Sequence, residues 1–144
     1  MSLAEKGIII RRTIETDLRS IYLAATETKE FCSDNLTADR LADLFASDNS
    51  ILYSAVRKKN LLGFILGNVK GEGAFVEKIF VKEKFRTCGI GSLLLEKFLL
   101  GSKKAGSDIF FIALPAENLQ ALNFLIERGF VQSDNTINLH KKNL

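Results

Sequence analysis

The chain has 144 residues, of which 47% are hydrophobic, and its 20 basic and 17 acidic side chains give a net charge of +3. This length and composition predict one domain, residues 1–144, with enough apolar side chains for an ordinary core. The near-balance of charge argues against a nucleic acid as a partner, and the longest uncharged stretch, residues 60–69, is too short for the roughly 20 residues that span a membrane.

The N-terminal third predicts one strand and two helices. A β-branched run at residues 8–12 is typical of a first or edge strand. Apolar residues recur at helical spacing after Thr16 and Asp17, either of which can cap a helix that runs to about Thr28. Thr37 precedes a second apolar series at the same spacing and is expected to begin a second helix.

The middle of the chain predicts an antiparallel meander of three strands. Two apolar runs, residues 51–57 and 61–69, flank a Lys-Lys-Asn turn, which indicates a hairpin. A glycine-containing turn then leads into a central strand over residues 74–82. A basic loop and a helix over residues 90–104 follow. The apolar stripe of this helix is too wide for a surface helix, so we expect most of its circumference to be covered.

The C-terminal third predicts a parallel strand, one helix and a hairpin. Residues 108–114 are apolar after the first residue, as in a strand buried on both faces, and should pair in parallel with the central strand. Residues 117–128 predict a last helix that Gly129 ends, and residues 130–131 and 136–140 a hairpin. These elements predict an α/β fold with a mixed, mostly antiparallel sheet of six to seven strands and about four helices.

The junction between the central strand and its helix has the chemistry of an anion site. A strand that passes through a glycine turn into a helix aims unpaired backbone N–H groups and the positive end of the helix dipole at one point. Gly89 and Gly91 leave room for a ligand to approach the backbone, and Gly89 can adopt a φ angle that other residues avoid. Nearby positive charge favours a diphosphate over a single carboxylate, and it comes from Lys82, Lys84 and Arg86.

Two better-known phosphate loops do not fit this segment. The dinucleotide pattern G-x-G-x-x-G requires a glycine where Leu94 stands. The P-loop pattern matches the glycines at Gly101 and Gly106, but its lysine position is Ser107. Both patterns are therefore excluded, and residues 101–107 instead predict a helix end with a lysine-rich last turn.

The remaining pattern, Arg86-x-x-Gly89-x-Gly91 after a strand, resembles that of the GCN5-related N-acetyltransferase (GNAT) superfamily, whose cofactor is acetyl-coenzyme A. The resemblance continues downstream at the family's spacings, through Asn118, Ala121, Phe124, Gly129 and Phe130. Two positions depart from the family pattern: its tyrosine is Leu125 here, and a proline often found after the strand is Glu83. The resemblance implies the GNAT fold, with the sheet splayed between residues 74–82 and 108–114.

The resemblance implies a site for acetyl-coenzyme A along this junction. Backbone amides of the turn and the hydroxyl of Ser92 would hold the diphosphate, and the pantetheine arm would lie along the central strand. The implied cofactor-binding residues are Ile79, Phe80, Val81, Arg86, Thr87, Cys88, Gly89, Ile90, Gly91, Ser92, Asn118 and Phe124. Asn118 serves equally well as a helix N-cap, and a residue such as Phe124 more often packs in a core.

The resemblance also implies direct transfer of the acetyl group to a primary amine in a ternary complex, with the Val81 N–H meeting the oxyanion. Strand alternation predicts one face made of Phe75, Glu77, Ile79 and Val81. On such an apolar face desolvation would suit Glu77 to be a general base, although a glutamate paired with a basic residue explains it too. No general acid is assigned, because Leu125 cannot donate a proton.

Only the charged side chains of residues 27–48 indicate which amine accepts the acetyl group. Within residues 27–48 two bases, Lys29 and Arg40, oppose six acids, namely Glu27, Glu30, Asp34, Asp39, Asp43 and Asp48. In the resembling family this helix pair borders the acceptor, so the charges favour a small cationic amine or a peptide amine, although a solvated helix face explains them as well. The missing tyrosine leaves a non-catalytic acyl-coenzyme A-binding module as an alternative, and a nucleotide-binding domain would instead bind ATP or NAD.

Cysteine and histidine add no further chemistry. Cys32 and Cys88 are the only cysteines and His140 the only histidine, and their spacing predicts no metal site. Cys88 lies in the turn beside Arg86, but no histidine base is available to make it a nucleophile. Two cysteines without a visible signal peptide predict a reducing cytoplasm, and the sequence leaves a homodimer open.

Overall fold

Seven strands form one mixed sheet in the computed structural model, which describes residues 2–27, 36–113, 119–133 and 138–142. The strands are β1 (Ile8–Arg12), β2 (Ser50–Arg57), β3 (Asn60–Lys70), β4 (Gly73–Val81), β5 (Ile109–Ala113), β6 (Val131–Ser133) and β7 (Asn138–Lys142). The helices are α1 (Leu18–Glu27), α2 (Ala38–Ala46), α3 (Ile90–Lys104) and α4 (Leu119–Glu127). Short 3₁₀ helices, Glu15–Asp17 and Glu83–Cys88, precede α1 and α3, so the predicted basic loop is largely helical.

The strands lie in the order β1-β2-β3-β4-β5-β7-β6, so β7 inserts between β5 and β6. β2 to β4 form the predicted antiparallel meander, and β1 pairs antiparallel with β2 as the predicted edge strand. β4 and β5 pair in parallel, and β7 pairs antiparallel with both β5 and β6. The parallel pair is joined through α3, the kind of crossover that parallel strands require. The predicted fold class, α/β with a mixed and mostly antiparallel sheet, is confirmed.

Local hydrogen bonds and glycines fix where the helices begin and end. Thr37 caps α2 as predicted, and its side-chain oxygen accepts a first-turn N–H at 3.0 Å. The Asp17 carboxylate accepts the Ile14 N–H at 2.9 Å and so closes the 3₁₀ turn that leads into α1. α3 begins after Gly89, with a φ of +83°, and the chain leaves it through Gly106, with a φ of +94°.

Helices cover both faces of the sheet and create two hydrophobic cores. On one face α3 and α4 pack against the strands through Leu94, Leu95, Phe98, Leu125, Ile65, Val76, Ile79 and Val81. On the other face α1 and α2 pack through Ile21, Ala25, Leu41, Leu44, Leu52, Phe64, Leu66 and Phe80. The central strand β4 contributes side chains to both cores, so packing on two sides fixes its position.

α3 is covered less completely than its sequence predicts. Its inner side chains are buried, but Leu93 is 37% exposed and Leu100 is 50% exposed. These two residues are seven apart and share a helix face turned away from the sheet, so the prediction that most of the circumference is covered is wrong in part. Within the ranges that the structure describes, no helix is long and apolar enough to cross a bilayer. The cytoplasmic location stays a prediction.

A β-bulge interrupts β4 at Glu77. Leu66 of β3 pairs with Lys78, whereas the next residue, Gly67, pairs with Val76, which leaves Glu77 as the extra residue. Gly67 permits this close approach of the two strands. A Cβ at its position would lie 2.2 Å from a β4 carbonyl oxygen and 2.5 Å from an aromatic ring of α3.

The bulge changes which way the β4 side chains point. Glu77 bonds a side chain of α2, and the buried Lys78 donates to the Ala25 carbonyl of α1 at 3.2 Å, so both lie on the α1 and α2 face. Ile79 and Val81 lie in the opposite core, under α3. The predicted face that joins Glu77 to Ile79 and Val81 is therefore wrong, because one inserted residue reverses the alternation beyond it.

The pairing between β4 and β5 ends halfway along β4. Their parallel register runs from Gly73 opposite Ile109 to Val76 opposite Ile112. Beyond Val76, residues 77–81 have no partner in the described part of β5. The predicted splay between these strands is confirmed. We call one side of residues 77–81 the gap, namely the side with which no described residue of β5 pairs; it lies beside the end of β4 that leads into α3.

Candidate functional site

The first turn of α3 presents backbone N–H groups at the end of the gap. The helix's first hydrogen bond runs from the Leu93 N–H to the Gly89 carbonyl at 3.2 Å. The N–H groups of Ile90, Gly91 and Ser92 precede this bond and have no acceptor inside the helix. Together with the helix dipole they make this end of α3 positive, so it can receive an anion.

The glycines at this helix end leave open space in front of those N–H groups. A Cβ on Gly89 would meet no atom within 4 Å. A Cβ on Gly91 would lie 3.7 Å from both Phe124 and Val81, which is ordinary van der Waals contact. Ile90, between them, is fully buried and can offer a ligand only its backbone. The described side chains therefore do not fill the space that an anion would need.

Basic side chains adjoin this helix end from the 3₁₀ segment before α3. Lys82, Lys84 and Arg86 are all exposed, so they add positive charge beside the first turn. Arg86 also donates from Nε to the Val81 carbonyl at 2.8 Å. This bond ties the end of β4 to the segment that carries the charge.

Backbone groups near the end of β4 face the gap beside β5. The Lys82 N–H donates to a β3 carbonyl at 2.8 Å, which makes Val81 and Gly63 a pair without direct hydrogen bonds in the antiparallel ladder. The N–H and C=O of Val81 therefore point away from β3, and by alternation so do those of Ile79, while Phe80 turns its backbone to β3. The side chains of Ile79 and Val81 are buried, so these residues can meet a ligand only through the backbone.

Glu77 is held by two neighbours on the face of α1 and α2. The Arg40 guanidinium bonds both of its oxygens, Nη2 to Oε1 and Nε to Oε2, the latter at 3.2 Å. Asn68 Nδ2 donates to Oε1 at 3.1 Å. The hydrogen bond to Glu77 raises the pKa of Arg40 above its ordinary value, although burial opposes the shift. The geometry matches the alternative in which this glutamate pairs with a basic residue, and a role as general base stays a prediction.

Ser92, Phe124 and Arg128 form one contact group at the start of α3. The Arg128 guanidinium donates from Nη2 to Ser92 Oγ and from Nη1 to the Phe124 carbonyl at 3.0 Å. Its carbon Cζ lies 3.6 Å from the centroid of the Phe124 ring. Because the same ring borders Gly91, two predicted cofactor-binding residues, Ser92 and Phe124, meet at this helix end.

The other predicted residues are placed as follows. Asn118 and the side chain of Thr87 lie outside the described residues. Cys88 is a half-buried free thiol whose sulfur accepts a hydrogen bond from the Lys6 ammonium at 3.8 Å. Leu125, at the position of the family's tyrosine, is fully buried in the core under α3 and α4.

Sequence patterns do not predict the contacts of four polar residues. On the α1 and α2 face of β4 these are Arg40, Asn68 and Lys78, and at the start of α3 it is Arg128. Arg40 lies 37 positions from its partner and Arg128 lies 36 from Ser92, and no helix or strand period connects such positions. Arg128 carries one weak signal, since it follows Phe124 by four residues and therefore shares a helix face with it.

The acidic segment that predicted a cationic acceptor is described only in part. Asp43 is exposed on α2, whereas Glu30 and Asp34 lie outside the described residues. A cleft of about 320 Å³ opens beside α2 and is lined in part by Arg40, Asp43 and Asn68. Two of the residues that line this cleft, Arg40 and Asn68, also bond the Glu77 carboxylate.

Comparison with known proteins identifies one family. The sequence profile of the Acetyltransferase (GNAT) family matches residues 16–130. No curated protein sequence matches the chain at a significant level.

Solved structures of low sequence identity share the fold over nearly their whole length. They include the ribosomal-protein-S18-alanine N-acetyltransferase of Escherichia coli, with 16% identity, a TM-score of 0.80, and 95% of each chain covered. PaiA N-acetyltransferase of Thermoplasma acidophilum, solved in complex with coenzyme A, has 19% identity and a TM-score of 0.80, covering 94% of this chain and 98% of that one. Ard1 of Thermoplasma volcanium has 21% identity and a TM-score of 0.81, covering 96% and 99%.

Proposed function

Because the chain belongs to the acetyltransferase (GNAT) family, we propose that it transfers an acetyl group from acetyl-coenzyme A to a primary amine, directly, in a ternary complex. One observation carries the proposal for this chain. The N–H groups of the first turn of α3, which have no acceptor inside the helix, adjoin a stretch of β4 that no described residue of β5 pairs with. The two surfaces suit a diphosphate followed by an extended amide-containing arm, which are the parts of coenzyme A.

The binding roles follow from where each group points. The N–H groups of Ile90, Gly91 and Ser92 donate to diphosphate oxygens, and the exposed basic side chains before α3 add charge. The N–H and C=O of Ile79 bond the amides of the pantetheine arm as a neighbouring strand would, which leaves the Val81 N–H for the thioester. The remaining predicted contacts, at Phe80, Arg86, Thr87, Cys88, Gly89, Asn118 and Phe124, belong to the same proposal.

The chemistry uses few groups of the protein. Acetyl-coenzyme A, when bound, supplies the acetyl group as a thioester. The Val81 N–H donates to the carbonyl oxygen on which negative charge develops, because the sheet leaves this donor facing the gap. Glu77 accepts the amine's proton once the acceptor displaces Arg40 from the carboxylate. No acid needs to protonate the leaving sulfur, since a thiol with a pKa of about 8.5 departs readily as thiolate, which agrees with the buried Leu125.

For the acceptor we propose a cationic amine or a peptide amine. The E. coli enzyme of the same fold is described as acting on an alanine of ribosomal protein S18, which is a protein amine. The exposed acids of α2, Asp39 and Asp43, would attract a positively charged acceptor. A panel of amines tests this, and equal turnover of anionic and cationic acceptors would contradict it.

A non-catalytic acyl-coenzyme A-binding module is the second candidate. Leu125 favours it, because a fully buried leucine stands where the family's tyrosine would donate a proton. The two candidates agree on binding and differ on turnover. Release of free coenzyme A thiol in the presence of an amine, measured spectroscopically, supports the transferase, and its absence across a broad amine panel supports the binding module.

Cofactor class is tested first by thermal unfolding. Acetyl-coenzyme A should raise the melting temperature, because a ligand that binds only the folded state stabilises it by about 2.7 kcal/mol at one hundred times its Kd. ATP and NAD should raise it less at equal concentration. Stabilisation by ATP or NAD alone would instead indicate a nucleotide-binding protein and refute the proposal.

A further inference from the structure

We propose that Arg128 is a positioning residue for the acyl donor, acting through Ser92 to aim a hydroxyl donor at the diphosphate. The inference rests on the proposed binding of acetyl-coenzyme A at the start of α3. It adds a residue from the far end of α4, outside the glycine motif.

The end of α4 holds the Arg128 backbone in a fixed place. The Arg128 N–H donates to the Leu125 carbonyl at 3.0 Å, and the Phe130 N–H donates to the same carbonyl at 3.1 Å. Gly129, with a φ of +89°, turns the chain between them. The helix therefore ends in a closed turn, from which the Arg128 side chain reaches back towards α3.

The Arg128 side chain is fixed as well. Its Nη1 bonds the Phe124 carbonyl at 3.0 Å, and its Cζ stacks 3.6 Å from the Phe124 ring centroid. With 34% of the side chain exposed, the guanidinium is partly shielded from water, so its charge is screened less than that of a free surface arginine. The Glu127 carboxylate lies 3.9 Å from Nη1 as well. The contact from Nη2 to Ser92 Oγ is therefore made by a donor that other contacts already hold in place.

The chemistry of this contact fixes how Ser92 can act. A guanidinium has only donors, so the Ser92 oxygen must accept from it and the hydroxyl proton must point elsewhere. The N–H groups of Ile90 and Gly91 are donors and cannot take that proton, so within the first turn only the carbonyl one turn back, at Cys88, competes for it. A phosphate oxygen at the helix end can accept it. Arg128 thereby converts an ambivalent hydroxyl into a donor and places a permanent positive charge beside the same end.

Titration calorimetry with coenzyme A tests the proposal on Arg128→Met, Arg128→Lys, Ser92→Ala and the Arg128→Met/Ser92→Ala double variant. We expect Arg128→Met to raise the Kd about tenfold, the size of one lost charge-assisted contact, and Arg128→Lys to raise it less. Ser92→Ala should raise the Kd by a similar factor. The double variant should have a Kd no higher than that of the single variant that binds more weakly, because both changes remove the same coupled interaction.

Lys103→Met is the matched control for charge. Lys103 is exposed in the last turn of the same helix, about 16 Å from Ser92 at 1.5 Å per residue. Its replacement removes one positive charge and should change the Kd less than twofold. The melting temperature of each ligand-free variant shows whether it is folded, and Arg128→Lys together with Ser92→Ala carries the test should Arg128→Met not fold.

Each outcome decides a different claim. If the unmodified protein binds no coenzyme A, the proposed function fails. If it binds but Arg128→Met and Arg128→Lys keep its Kd, the role of Arg128 is refuted while the function stands. Multiplying effects of the two single changes in the double variant would also refute it, because Arg128 would then act independently of Ser92. A melting temperature lowered without any change in Kd would assign Arg128 to the stability of α4 alone.

Discussion

Replacing Gly89 with alanine separates the role of this turn in folding from its role in binding. At a φ of +83° an L-residue incurs about 1–2 kcal/mol of strain, of which about 0.4–1 kcal/mol is offset because alanine restricts the unfolded chain. No steric cost is added, since a Cβ would meet no atom within 4 Å. We therefore expect a net loss of about 1 kcal/mol in the free energy of unfolding.

The same substitution should weaken coenzyme A binding by about tenfold, which corresponds to 1.4 kcal/mol. Relaxation of the strained residue rotates the next peptide units, so the N–H groups of Ile90 and Gly91 no longer aim at one point. The added methyl group also enters the open space in front of them. Urea unfolding measures the stability, and titration calorimetry with coenzyme A measures the Kd.

Gly106→Ala is the matched control. Gly106 has a φ of +94°, lies at the other end of α3, and would also place a Cβ in open space. The two variants should lose similar stability, whereas only Gly89→Ala should lose affinity. Equal Kd values for both variants would refute the reasoning that the turn at Gly89 serves the ligand.

Three further predictions concern Glu77 of β4, Gly67 of β3 and Asp17 in the turn before α1. Glu77→Gln should lower kcat by at least about a hundredfold if the carboxylate is the base, and Arg40→Met should lower it less. Steady-state kinetics with an amine that the protein acetylates measures both values. A larger loss for Arg40→Met than for Glu77→Gln would contradict this role. Gly67→Ala should cost about 3 kcal/mol of stability in urea, because its Cβ would lie 2.2 Å from a backbone oxygen, and a wild-type midpoint would disprove the tight contact. Burial alone would raise the pKa of Asp17, but the bonds from Arg11 and the Ile14 N–H outweigh it and hold the pKa below its ordinary value of 3.8. Asp17→Asn should therefore lower the free energy of unfolding by about 1–3 kcal/mol at neutral pH. The difference in this free energy between the variant and the wild type should shrink as the pH falls below 3.8 through the folded-state pKa. A difference that does not change with pH would contradict this reasoning.

Sequence patterns predict the helix ends well where residues next to those ends determine them. The predicted helix over residues 90–104 matches α3 because glycines with positive φ lie at both of its ends. Thr37 begins α2 as predicted, since its side chain reaches a backbone N–H three residues on. The glycine turn, the charge before α3 and the splay beside β4 could likewise be placed from the sequence, the splay through the family resemblance.

Features that depend on two distant segments could not be predicted. The bulge at Glu77 arises from how β3 meets β4, and a single strand gives no sign of the extra residue, so the predicted face of Glu77 was wrong. The ion pair with Arg40 depends on how α2 packs on the sheet. The contact of Arg128 with Ser92 depends on where α4 ends relative to α3. Each becomes visible only when tertiary packing brings the partners together.

The central claim is that the backbone N–H groups at the start of α3 bind the diphosphate of the acyl donor. Titrating ¹⁵N-labelled protein with coenzyme A and following the amide resonances tests it most directly. We expect the amides of Ile90, Gly91 and Ser92 to show the largest shifts and those of α2 to change little. Saturable binding of coenzyme A that leaves these three amides unshifted would contradict the claim.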